Sequence, residues 1–219
     1  MLARAAVIAC RALLFDMDGL MVDSEPLWFE VERDFARSRG GDFSPEVARR
    51  CIGRGLANTL AVMHSHFEFP ERAGDADEII GRFIDRVGEL SLKPGFAALF
   101  AEARARNVPR ALASSSSRKL VEATLARFAI RQQFDAVVTG DCVAHPKPAP
   151  DIFLEAARRL AVPPGQCVVL EDSQSGVQAA RAAGIPVIAV PEADAAAFEG
   201  LADAVASDLY AARRLLALE

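Results

Sequence analysis

Two aspartates one residue apart, Asp16 and Asp18, follow the short apolar run 12–15 and precede Gly19. Later apolar runs end in polar groups of a similar kind. The run 109–113 leads into the serines 114–117, the run 135–140 into DCVAHPKPAP with Lys147, and the run 167–170 into Glu171 and Asp172. Singly, each has an ordinary explanation. Asp and Gly favour turns, a serine before a helix caps it, lysines are mostly solvated, and polar loops are common. Jointly they ask for more, because turns and caps do not require acids on two segments with a hydroxyl and an ammonium on two others. Carboxylates gathered at one place repel by about 4 kcal/mol per pair at ~4 Å and an effective dielectric of ~20, and Lys147 alone cannot offset them. Oxygen donors without histidine or cysteine suit a hard divalent ion, and a site of few carboxylates that keeps waters suits Mg²⁺. Such an ion beside Lys147 and a serine hydroxyl makes a pocket for a phosphate group.

For these groups to meet, the apolar runs must be neighbouring strands, since ligands of an open parallel sheet bind beyond the carboxyl ends of its strands. The run 12–15 reads as a first buried strand. From 25 to about 92 the signals are helical: EPLWFEVERDFARSRGG ends in a glycine pair, SPEVARRCIG starts with Ser-Pro, and DADEIIGRFIDRVGEL opens acidic. Pro94-Gly95 closes that block. Helices over 95–107, 118–128, 150–161 and 174–184 then alternate with short apolar runs, the pattern of a parallel sheet. Phe96, Leu99, Phe100 and Ala103 share one helix face, as do Val121, Thr124, Leu125 and Phe128, and Phe153, Ala156, Ala157 and Leu160. These are core stripes. The predicted architecture is a doubly wound, Rossmann-like α/β core of residues 1–22 and 94–219, with an all-helical domain, residues 23–93, inserted after the first strand.

Bulk properties limit the partners. Of the 219 residues, 52% are hydrophobic and 25% charged, the profile of a soluble globular protein. A formal net charge of -5 offers no basic footprint for nucleic acid or an anionic membrane, which leaves small molecules as the expected partners, and the phosphate pocket described above makes that partner a small phosphorylated metabolite. The four cysteines lack CxxC spacing and read as reduced thiols in a cytoplasmic protein. The opening MLARAAVIAC is not taken as a signal peptide, because processing near Arg11 would crowd or cut the strand that carries Asp16. No run approaches the roughly 18 apolar residues of a membrane span.

FDMDGLMVDS, ASSSS, HPKPAPDIF and VVLEDSQSGVQAA, in that order, resemble the four motifs of the haloacid dehalogenase-like phosphohydrolases. The helical insertion resembles the cap of the branch with β-phosphoglucomutase, phosphoglycolate phosphatase and sugar or hexitol phosphatases. The resemblance implies a Mg²⁺-dependent phosphatase for small phosphomonoesters, most plausibly sugar or polyol phosphates. Asp16 would attack phosphorus and become an aspartyl-phosphate, and Asp18 would be the acid for the leaving alcohol and then the base for water. Ser114, with Ser115, would bind phosphoryl oxygens, and Lys147 would offset charge on the nucleophile and the transferring group. Asp16, the Asp18 carbonyl and Asp172 would hold Mg²⁺, with Glu171 in direct or water-mediated contact.

The cap would close by hinging near Asp23-Ser24 and Leu92–Pro94 and would set specificity, with Glu25, Trp28 and Arg54 as candidate leaving-group contacts. Trp28 could equally pack between cap and core, and Arg54 could be a loop arginine. His64 and His66, with no carboxylate at ligand spacing on their helix, read as surface or packing residues. A mutase of the β-phosphoglucomutase type is the nearest alternative, but those enzymes resemble this chain with a histidine where Trp28 stands, twelve residues after Asp16. A non-catalytic phospho-acceptor module is more remote, since a helical insertion of roughly 70 residues exceeds any ordinary loop.

Overall fold

The computed structural model describes residues 7–51 and 55–219. The chain divides into two compact units, Met1–Asp23 with Ser91–Glu219 and, between these segments, Ser24–Leu90. The chain first forms β1 (Ile8–Cys10) and β2 (Ala12–Phe15). Every residue of β2 is fully buried, as a strand covered on both faces must be.

The inserted unit is helical, with α1 (Glu25–Ser38), α2 (Pro45–Arg49), α3 (Leu56–Phe67) and α4 (Asp75–Asp85). Pro26 in the first turn of α1 needs no helical donor there. Leu27, Val31 and Phe35 recur at helical spacing and are buried, as are Ile79 and Phe83 of α4. Arg39, just beyond α1, donates to Asp75 at 2.7 Å and to Glu78 at 2.8 Å. His64 meets the same Asp75 carboxylate at 3.1 Å and lies edge-on to Phe69, so its carboxylate partner comes from the next helix rather than its own. His66 packs edge-on against Phe67. Burial would raise Asp75, but the Arg72 N–H, His64 and Arg39 outweigh it and hold the carboxyl below its ordinary value.

Glu32 of α1 behaves in the opposite way. Burial, with the Glu25 carboxylate adding to it, outweighs a hydrogen bond from Thr59 and pushes Glu32 up to about 7. The folded chain therefore holds a proton that the unfolded chain releases near 4.5, and a destabilisation grows as pH rises from there and is complete above about 7. Glu32→Gln removes it. The variant is expected to unfold at a higher temperature than the parent at pH 8, by the equivalent of about 1–3 kcal/mol, and to match it near pH 4.5, as read by thermal denaturation at the two pH values.

The rest of the chain completes the α/β unit. It adds β3 (Arg110–Ser114), β4 (Ala136–Thr139), β5 (Cys167–Glu171), β6 (Val187–Ala189), β7 (Ala204–Val205) and β8 (Leu216–Leu218). The helices α5 (Phe96–Ala105), α6 (Arg118–Arg127), α7 (Asp151–Leu160), α8 (Gln174–Ala182) and α9 (Leu209–Arg214) fall between them. Six strands form one sheet in the order β4-β3-β2-β5-β6-β7, with every pairing parallel. This is the doubly wound α/β sheet that the alternation of runs and helices implies. Phe15 of β2 meets Phe96, Phe100 and Phe134 edge-on at 5.6, 5.9 and 6.2 Å, fixing α5 to one face of the sheet. Phe153, Ala156 and Ala157 of α7 join the buried cluster that includes Leu14 and Val169. The sequence reading did not foresee the small parallel pair β1-β8, in which Ile8 faces Leu216. The remainder of the N-terminal stretch, residues 1–6, lies outside the described residues. Among the described residues no helix is long and apolar enough to cross a membrane.

Candidate active site

The register of the central strands sets the site. Phe15, the last residue of β2, is level with Leu112 of β3 and Leu170 of β5, so Asp16 emerges beside Glu171. The Asp16 N–H continues the ladder, donating to the Leu170 carbonyl at 3.1 Å. The chain then turns sharply: Met21 N–H returns to the Met17 carbonyl at 2.9 Å, and Gly19 takes a φ of 80°. A Cβ at Gly19 would overlap the Asp172 carboxylate. The turn thus needs glycine for its left-handed backbone and for the close approach of Asp172. Gly19→Ala is expected to cost about 1–3 kcal/mol of stability and to lower kcat at least ~100-fold, because a displaced Asp172 no longer faces Asp16. Calorimetry and initial rates check the pair.

Lys147 reaches the same place from the proline-flanked loop after β4, where its peptide bond to Pro148 is cis. Its three donors are all used: Asp16 Oδ1 at 2.5 Å, Glu171 Oε1 at 2.7 Å and the Ala113 carbonyl at 3.2 Å. Its ammonium also lies 4.8 Å from the centre of the Phe153 ring. The Glu171 carboxylate is buried and committed on both oxygens, since Oε2 accepts from Ser173 N–H at 2.7 Å and from Ser173 Oγ at 2.9 Å. Ser173 is the N-cap of α8, and its Oγ accepts from Gly176 N–H at 3.1 Å. A Cβ at Gly176 would overlap the Glu171 carboxylate.

The charges do not balance. Ligand oxygens of Asp16, Glu171 and Asp172 all lie within 4.8 Å of one another. Burial first, then neighbouring carboxylates, push Asp172 well above its ordinary value. Burial pushes Asp16 up too, against the pull of Lys147. Burial would lower Lys147, yet Asp16 and Glu171 more than reverse it and keep the ammonium charged. Among the described residues one cation, Lys147, faces this many acids, which leaves the cluster short of positive charge, and an all-oxygen donor set fits a hard divalent ion.

The serine run splits into separate tasks. Ser114, at the end of β3, is buried and its Oγ accepts from Ser116 N–H at 3.1 Å. Ser115 is exposed. Ser116 Oγ donates to Asp18 Oδ2 at 2.8 Å. The N-cap position of α6 is Ser117 rather than Ser114. Glu25 and Trp28 belong to the helical unit, where Trp28 lies against Phe83 with ring centroids 4.2 Å apart. Arg54 lies outside the described residues. Sequence reasoning missed Ser116, Ser173 and Gly176. Ser173 carried a readable signal as a serine opening a helix, whereas Ser116 is indistinguishable from its serine neighbours in type.

Residues 13–190 match the family described as haloacid dehalogenase-like hydrolase. The chain belongs to that family. A phosphorylated carbohydrates phosphatase of Thermotoga maritima is 35% identical over 80% of this chain and 82% of that protein. Hexitol phosphatase B of Escherichia coli K12 is 35% identical over 84% and 85% of the respective chains. Among solved structures, CbbY of Rhodobacter sphaeroides in complex with phosphate superposes with a TM-score of 0.81 at 31% identity, covering 91% of this chain and 95% of its own. This haloacid dehalogenase-like enzyme is a phosphoric monoester hydrolase of the branch that holds the sugar phosphatases.

Proposed function

We propose that the enzyme hydrolyses sugar or polyol phosphates in two displacements at phosphorus, the first by Asp16. The observation that carries this is the Asp16 carboxylate, held by Lys147 beside the mutually close oxygens of Glu171 and Asp172. The ion pair to Lys147 favours the ionised form of Asp16 against its burial and orients the carboxylate for attack. Asp18 gives its proton to the departing alcohol and later takes one from water. Ser114, whose Oγ already accepts from Ser116 N–H, keeps its own hydroxyl hydrogen for a phosphoryl oxygen, and the exposed Ser115 offers a second contact. Lys147 neutralises charge on the transferring group.

Asp16, the Asp18 carbonyl and Asp172 are the residues suited to hold Mg²⁺. The full engagement of Glu171 by Lys147 and Ser173 supports an outer, orienting role for it. When bound, Mg²⁺ neutralises phosphoryl oxygens and lowers the barrier to displacement. The helical unit is assigned the role of a cap that selects the substrate, with Glu25, Trp28 and Arg54 as candidate contacts. Four free cysteines, three of them buried, support a reducing, cytoplasmic setting.

A panel of phosphorylated metabolites, assayed for phosphate release with Mg²⁺ and with chelator, tests the function. Release from sugar or polyol phosphates is expected, falling at least ~100-fold on chelation. Faster interconversion of hexose 1- and 6-phosphates than phosphate release contradicts it, as does a persistent phosphoenzyme without turnover.

A further inference from the structure

We propose that Ser116 is a positioning residue that holds Asp18 in the orientation needed for proton donation to the leaving alcohol. Its hydroxyl donates to Asp18 Oδ2 at 2.8 Å, across 98 positions of sequence. The main chain behind that hydroxyl is pinned at both ends. Ser116 N–H donates to Ser114 Oγ at 3.1 Å, and the Ser116 carbonyl accepts from Gly140 N–H at 3.0 Å. Ser116 is thus tied to the ends of β3 and β4, the rigid part of the fold, and passes that rigidity to a carboxylate on the turn after β2. With Oδ2 accepting from a fixed hydroxyl, rotation of the Asp18 carboxyl group is restrained. The other serines of the run do not make this bond: Ser114 Oγ is engaged with Ser116 N–H, Ser115 is exposed, and Ser117 Oγ is buried with no hydrogen-bond partner among the described residues.

The inference rests on the phosphatase reading. In the first displacement an Asp16 oxygen bonds to phosphorus, the bond from phosphorus to the ester oxygen breaks, and that oxygen leaves with the electron pair and takes the proton from Asp18. In the second, water attacks phosphorus and gives its proton to Asp18 as the bond to Asp16 breaks. Proton donation matters most when the leaving group is basic, so the contribution of Ser116 must depend on the leaving group.

The experiment compares phenyl phosphate, which has a poor leaving group, with 2,4-dinitrophenyl phosphate, which has a good one. In Ser116→Ala, kcat/KM for phenyl phosphate is expected to fall about 10-fold or more, while the value for the dinitrophenyl ester changes less than ~3-fold. Ser116→Thr, which keeps the hydroxyl, recovers most of the loss. Ser116→Val, of the same shape as threonine without the hydroxyl, does not. This last pair keeps the comparison decisive if the alanine variant is unstable. An equal loss on both esters, an unchanged rate on phenyl phosphate, or equal behaviour of the threonine and valine variants overturns the role of Ser116 and leaves the phosphatase reading standing. Absence of turnover of either ester by the unaltered enzyme overturns that reading, and the inference with it.

Discussion

Asp16→Asn is expected to lower kcat by at least about 10⁴-fold while shifting thermal unfolding by only a few degrees. The amide is almost the same shape and keeps an oxygen for Lys147, so the site stays packed. It is neutral and a poor nucleophile, so the covalent step is lost. Its effect on stability is small because two opposing terms change together. The ion pair with Lys147 weakens, but one buried charge among Glu171 and Asp172 disappears, and burial together with those neighbours already disfavours it. Steady-state rates on the best substrate of the panel and a thermal scan measure both quantities. A drop of less than about tenfold would contradict the role given to Asp16.

Lys147→Met is expected to be damaging in a different way, lowering kcat/KM by about 10³-fold and also destabilising the fold by about 3–5 kcal/mol. Methionine replaces the apolar stem, but Asp16 and Glu171 lose the one cation that pairs with both among the described residues. Removing one partner of a buried pair strands the other, and here it strands two. The two side chains are 10% and 1% exposed, so water cannot take over. The destabilisation should be largest in chelator and partly relieved by Mg²⁺, since a cation that binds only the folded state stabilises it. Denaturant titrations under the two conditions check this. An equal loss in both would show that the divalent ion does not share the carboxylates with Lys147.

The sheet was legible because its strands are short apolar runs closed by polar residues and separated by helices with clear faces. Residues 12–15, 110–114, 136–139 and 167–171 each become a buried strand. The topological rule for parallel sheets then says where Asp16, Ser114, Lys147 and Glu171 must point. What could not be read depends on contacts without a local pattern. β7 has two residues and β1 and β8 three each, too few for any periodicity, and they are strands only because partners lie beside them. The bond of His64 to Asp75 joins two helices whose approach no spacing rule supplies. Ser116 is separated from Ser114 and Ser115 only by which way each hydroxyl faces at the end of β3. Gly176 looks like a helix weakness in sequence, and its reason is the Glu171 carboxylate beneath it.

The central claim is that the phosphoryl group is carried on Asp16 between two displacements. Hydrolysis of a phosphorothioate monoester made chiral at phosphorus with two oxygen isotopes, carried out in water enriched in the third, tests it most directly, because the thiophosphate released is itself chiral. Two in-line displacements give inorganic thiophosphate with net retention of configuration, the result expected here. Net inversion would mean that water attacks the substrate in a single step, and Asp16 would then not be the nucleophile.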